Sequence, residues 1–241
     1  MKPVAHKRHN APVTNTPPRP STRPQPYTPS TFSAAWAHRV GWLINHVWLS
    51  TKVVGAHHLP KHGPVILAGN HTGLLDGPVV VGAAPRGVHF LIKQELIHGL
   101  GGKILLAAGQ VPVDRTGGRR ALETCLGLLE KGQVVGIFPE GTRGAGRVDT
   151  IHAGVAWLAI HSGAPVLPVA CLGTRRPGES IHQIPPFRRR IVVHFGSAID
   201  LNSAHTQGHG RVAVNIGIGL IQTALANHVA AAQIQAGISL P

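Results

Sequence analysis

Seven short apolar runs set the limits on how this chain can fold. They lie at residues 52–56, 64–68, 88–92, 110–113, 134–138, 166–172 and 191–195. Each is too short for a domain-crossing helix, and valine and isoleucine recur in them, as expected of strands. Several are apolar throughout rather than alternating, which marks strands covered on both faces. Helix-like stretches fall between or after them, at 76–83, 100–108, 118–130, 150–161 and 212–235, with Lys131-Gly132 as a stop for the third. Strands alternating with helices predict an α/β fold, a layered, mostly parallel β-sheet flanked by helices. A length of 241 residues suits one such domain with appendages. No internal repeat is visible.

Composition narrows the partners. A net charge of +14 at only 13% charged residues is extreme and implies an anionic partner: nucleic acid, anionic lipid or a phosphorylated substrate. The two cysteines, Cys125 and Cys171, form no framework or metal pattern, which suits a reducing compartment. The N-terminus lacks the apolar core of a signal peptide, and no long window is free of polar breaks, so neither export nor a transmembrane helix is expected. The 17 histidines make any single one uninformative.

Residues 1–31 hold eight prolines and five basic residues without one acid. Such a segment cannot bury enough apolar surface to fold, and is expected to be a disordered basic tail, either a tether to anionic surfaces or a solubilising extension. Residues 32–49 then concentrate three of the four tryptophans. On a helix, Phe32, Trp36, Val40, Leu43, Ile44, Val47 and Trp48 share a broad apolar face, with His38, Arg39, Asn45 and His46 away from its centre. An in-plane membrane helix and a helix packed on the domain are both open, as is one doing both. Residues 50–235 form the domain proper.

Carboxylates are scarce, and none precedes Asp76, although eight Lys and Arg do. Asp76 follows His71 by five residues, just past the apolar run 64–68. A histidine with a nearby carboxylate is a minimal general base, the carboxylate fixing the tautomer and stabilising the imidazolium. Asp76 also precedes Gly77-Pro78, so it fits a helix cap equally well. A second strand exit carries Asp114-Arg115. A third carries Phe138-Pro-Glu140-Gly141-Thr142-Arg143, whose glycine turn, hydroxyl and guanidinium suit an oxyanion; an internal Glu140–Arg143 ion pair is the plainer alternative. No Gly-x-Ser-x-Gly elbow, metal-ligand cluster or dinucleotide loop is present. The residues alone therefore support base-catalysed attack by an external nucleophile near an anion site.

Asn70-His71-x4-Asp76, Arg115, Phe138-Pro-Glu-Gly-Thr-Arg143 and Val166-Leu-Pro168-Val resemble, in order and spacing, the four blocks of the glycerolipid acyltransferase family. The resemblance covers roughly residues 50–200. It implies that His71 deprotonates an acceptor hydroxyl while Asp76 orients it. Arg115, Glu140, Gly141, Thr142 and Arg143 would bind the acceptor's phosphate, and Pro168 would shape the acyl-donor side. Acyl-CoA or acyl-carrier protein would be co-substrate, with no other cofactor and no metal. The implied acceptor is lysophosphatidate or a related lysolipid, and the implied place is the cytoplasmic face of the cell membrane, held peripherally on an anionic surface. Two departures bear on the acceptor: Val111-Pro-Val-Asp-Arg115 lacks the usual large residues, and Gly144-Ala-Gly replaces a more usual serine. The clusters Arg175-Arg176 and Arg188-Arg189-Arg190 could meet coenzyme A phosphates, anionic lipid or solvent. Other lipid or glycolipid acceptors, a hydrolase using His71 on water, and a non-enzymatic polyanion binder are the rivals. The domain has no RNA- or DNA-binding signature, so no specific nucleic acid is expected.

Overall fold

The strands lie where the short runs place them. In a computed structural model, which describes residues 29–114 and 118–241, they are β1 (Ser50–Val54), β2 (Val65–Gly69), β3 (Val88–Lys93), β4 (Val111–Val113), β5 (Val134–Ile137), β6 (Val166–Leu172) and β7 (Arg190–Phe195). They form one sheet in the order β1-β7-β6-β2-β5-β3-β4. Every neighbouring pair is parallel except β6 and β7. β2, β5 and β6 are buried along their whole length, as their unbroken apolar runs require.

The helices are α1 (Thr31–Leu43), α2 (Asp76–Ala83), α3 (Gly99–Ala107), α4 (Gly118–Glu130), α5 (Gly154–Ser162), the single turn α6 (Asn202–His205) and α7 (Arg211–Ala236). Two apolar layers cover the sheet. On one face Ile66, Val135 and Val166 pack against α4, α5 and α7, including Leu128, Leu158 and Leu225. On the other, Leu67, Val169 and Cys171 pack beneath α2. α7 is long and apolar enough to cross a membrane by length and composition. Its Ile221, Leu225 and Val229, spaced one turn apart, are buried in the domain core, while 28% of its most apolar window is buried in all. α5 begins later than the expected 150–161, because the amide of His152 is tied to the Pro139 carbonyl (2.8 Å) in the preceding loop.

The 32–49 segment is helical, and of the orientations left open for its large apolar residues the structure shows the outward one. α1 ends at Leu43 and continues as a π turn over Ile44–Trp48. The face against the domain is made of Ala34, Ala37, Gly41 and Asn45, while Phe32, Trp36, Trp42 and Val47 point outward. Asn45, expected on the polar side, is fully buried: its amide donates to the Val79 carbonyl (2.9 Å) and its Oδ1 accepts from Thr51 (3.1 Å). Close approach decides the orientation. A Cβ on Gly82 of α2 would stand 2.0 Å from the Gly41 carbonyl carbon, so only small residues fit between the two helices. The tail expected over 1–31 lies outside the described residues except at its end, where Ser30 caps α1 by accepting from the Ser33 amide (3.2 Å).

Gly82→Ala should therefore destabilise the fold by about 1–3 kcal/mol through overpacking against α1. Urea unfolding of the variant checks this, and unchanged stability would mean the helices do not touch as described.

Candidate active site

β6, β2, β5, β3 and β4 all point the same way, so their carboxyl ends open onto one rim of the sheet, where ligands gather in such folds. Asn70 makes the exit of β2. Fully buried, it accepts from the Cys171 amide (2.8 Å) and donates to the Cys171 carbonyl (3.3 Å), holding the end of β2 to β6. His71 follows, already beyond the sheet.

Asp76 is the hub of the loop. It is completely buried. Its Oδ2 accepts from His71 Nδ1 (2.9 Å), the Thr72 amide (2.6 Å) and the Gly73 amide (2.8 Å), and its Oδ1 accepts from the Thr174 hydroxyl. The cap reading is thereby corrected. Asp76 is the first residue of α2, Leu75 stands at the cap position without a side-chain bond, and the carboxylate points back into the loop 71–73. A carboxylate only accepts, so the proton of the His71–Asp76 bond belongs to Nδ1, which leaves the Nε2 lone pair free to act as a base.

Aromatic stacking fixes the imidazole plane. The His71 ring lies on Phe138 (centroids 4.3 Å apart, 8° between planes), and Phe138 lies on Phe90 (4.8 Å). Gly69 and Gly136 make room: a Cβ on Gly69 would meet the Phe138 ring, and one on Gly136 would stand 2.6 Å from Phe90.

The loop after β5 grips the His71 backbone at both ends. Glu140 Oε1 accepts from the His71 amide (2.9 Å), and the Gly144 amide donates to the His71 carbonyl (2.9 Å). Burial pushes the Glu140 carboxyl above its usual range, against the lowering effect of the His71 amide bond. Gly141 turns the loop at φ +70°, with the His152 ring filling the space beside it. Thr142 is exposed. Arg143 donates to the Ile181 carbonyl (2.8 Å), so Glu140 and Arg143 bond to different groups. Arg175 donates to the Gly144 carbonyl (2.8 Å) from the other side of the rim.

The structure thus brings His71, Asp76, Glu140 and the loop 140–143 together. Arg115 lies outside the described residues; Asp114, which precedes it, follows the end of β4. Pro168 is elsewhere. It lines a groove of about 720 Å³ with Ser197, Asp200 and His228, on the face covered by α7, whereas His71 stacks over the layer beneath α2. Cys125 and Cys171 are fully buried, and desolvation raises both thiols, so neither is a ready thiolate.

The sequence offered Phe138 and Asn70 without a role, Arg175 only within a basic cluster, and Thr174 not at all. The signal for Thr174 is weak but physical: it is a hydroxyl two residues past a fully buried strand that ends on the rim carrying His71. Nothing in the spacing of 98 residues between Thr174 and Asp76 announces their bond.

Comparison with known proteins shows the family and the fold. A model of the acyltransferase family matches residues 50–172. A 1-acyl-sn-glycerol-3-phosphate acyltransferase of Bacillus subtilis is 34% identical over 125 residues, covering 51% of this chain and 62% of the relative. One from Limnanthes alba is 30% identical over 160 residues, covering 63% of this chain and 56% of the relative. The matched region thus spans less than two thirds of these relatives' length. The crystal structure of the 1-acyl-sn-glycerophosphate acyltransferase PlsC from Thermotoga maritima shares the fold, with a TM-score of 0.60 at 20% identity over 84% of this chain and 78% of that one.

Two outcomes follow from the hydrogen bonds. Thr174→Val, which removes a donor to Asp76, should lower kcat about 10- to 100-fold with little change in KM, as loss of an orienting partner does. Thr174→Ser should restore most of it, and equal activity of all three proteins would remove Thr174 from the site. For Glu140, a raised folded pKa means that its contribution to stability is present below the ordinary glutamate value and is lost as pH rises through the folded value. Glu140→Gln keeps an acceptor for the His71 amide but cannot ionise. Its Tm relative to the parent should therefore rise from about pH 4 to pH 7, and a constant difference would contradict the burial effect.

Proposed function

Because the chain belongs to the acyltransferase family, we propose that it transfers a fatty acyl group from acyl-CoA or acyl-carrier protein to the hydroxyl of lysophosphatidate or a related lysolipid. The observation that carries this is the His71–Asp76 pair with Nε2 unencumbered, seated against the oxyanion-suited loop 140–143. The names of the relatives support the acceptor class.

In this reading His71 Nε2 takes the proton of the acceptor hydroxyl as its oxygen attacks the thioester carbonyl. The new C–O bond gives a tetrahedral oxyanion, the C–S bond then breaks, and the thiol leaves with the proton returned by His71. Asp76 stabilises the transient imidazolium, and Thr174 and the two loop amides hold Asp76. Arg143, Arg115, Gly141 and Thr142 meet the acceptor's phosphate. Glu140, an acceptor that would repel a phosphate, serves by holding the His71 amide. Pro168, in the groove on the face covered by α7, is read as shaping the acyl-donor side rather than touching the reacting atoms. The outward tryptophan face of α1 and the net charge of +14 fit peripheral attachment to an anionic membrane, on its cytoplasmic side.

Purified protein given labelled acyl-CoA and lysophosphatidate should form phosphatidate. His71→Ala should lose about 10²- to 10⁴-fold in rate, the usual worth of a general base. Undiminished turnover by that variant would sink the mechanism; fatty acid release without phosphatidate would favour hydrolysis.

A further inference from the structure

β7 runs antiparallel to β6 and parallel to β1, so β1 and β7 both start at the rim where β2, β5 and β6 end. The segment that brings α1 into β1 and the loop 173–189 that brings β6 into β7 therefore border the catalytic rim. They are joined there: Trp48 Nε1 donates to the Pro185 carbonyl (3.0 Å), the Arg188 amide donates to the Trp48 carbonyl (2.7 Å), and Phe187 sits edge-on to Trp48 at 5.8 Å. Arg188 is held at φ +61°, a left-handed conformation that arginine rarely adopts. At its other end the loop is tied to the active site through Arg143 on the Ile181 carbonyl and Arg175 on the Gly144 carbonyl.

This fastened loop presents apolar side chains to solvent. Phe187 is 62% exposed, Ile184 59% and Trp48 44%, with Ile181 beside them; across the rim, Leu74 and Leu100 are exposed too. Charge accompanies them. Glu179 is the loop's one acid among four arginines, and Arg189 neutralises it with bonds of 2.5 and 3.1 Å, which holds its carboxyl below the usual range. Arg176 and Arg188 remain exposed. Aromatic and aliphatic side chains flanked by arginines match the boundary between acyl chains and anionic headgroups.

We propose that the loop 173–189, together with Trp48, is a second membrane anchor that seats the catalytic rim on an anionic bilayer. Ile184 and Phe187 enter the interface and Arg176 and Arg188 meet lipid phosphates, so the acceptor reaches His71 from the membrane without crossing water. The proposal rests on a lysolipid acceptor and adds to α1 the surface that aims the site.

The test uses the full chain and sedimentation with vesicles of equal parts phosphatidylglycerol and phosphatidylcholine. The double variant Ile184→Glu/Phe187→Glu should bind about tenfold more weakly than the parent. Val212→Glu, an equally exposed site at the opposite end of α7 from the rim-side Ala236, should bind like the parent. Arg176→Gln/Arg188→Gln should lose the preference for phosphatidylglycerol over pure phosphatidylcholine vesicles. With a short-chain lysophosphatidate that stays monomeric in water, the apolar double variant should turn over like the parent, and with vesicle-borne acceptor it should lag. Vesicle binding unchanged in the apolar double variant overturns the anchor, as does equal loss in Val212→Glu. If binding falls as expected but even the parent acylates neither acceptor, the anchor is supported and the acyl-transfer reading fails.

Discussion

A buried carboxylate must have its charge met by hydrogen bonds, and Asp76 meets that demand from four directions. The requirement organises the site. The Thr72 and Gly73 amides curl the loop after β2 around the carboxylate, the Thr174 hydroxyl draws in the end of β6, and His71 supplies the fourth bond. Leaving any donor unmade strands part of a charge in the interior, so the loop has one low-energy shape, with the imidazole proton on Nδ1 and the lone pair on Nε2.

Around that hub, each surrounding layer restrains a different degree of freedom of His71. Phe138 and Phe90 set the ring plane, Glu140 and Gly144 hold the backbone, and Asn70 pins the strand from which the loop departs. Arg175 and Arg143 then link this core to the loop 173–189, so the surface that faces outward at the rim is mechanically continuous with His71. For the lipid acceptor proposed above, such continuity makes positioning on a membrane and positioning of His71 one problem.

The fold was largely legible from local pattern. α2 and α4 fall at the expected residues, β6 matches its run, and the other strands shift by one or two residues, because unbroken apolar runs bounded by turn residues admit few alternatives. The His71–Asp76 pair was legible as a candidate, yet spacing could not separate cap from base, since that choice depends on where a carboxylate points. What local pattern left open was the orientation of α1: the helix packs through Ala34, Ala37 and Gly41 and turns its large apolar residues outward, because close approach to Gly82 selects for small size rather than hydrophobicity. The bonds of Thr174 and Arg175 were illegible for a different reason. Their partners are distant in sequence, and only the antiparallel turn from β6 to β7 brings them to the rim.

The central claim is that His71 activates the acceptor directly, with no protein nucleophile between donor and product. Intact-protein mass spectrometry after incubation with acyl-CoA alone, sampled through the time of one turnover, tests it most directly. The account predicts an unmodified chain until acceptor is added, followed by acylated acceptor. An acyl-sized adduct that forms without acceptor and disappears at the turnover rate when acceptor arrives would contradict it.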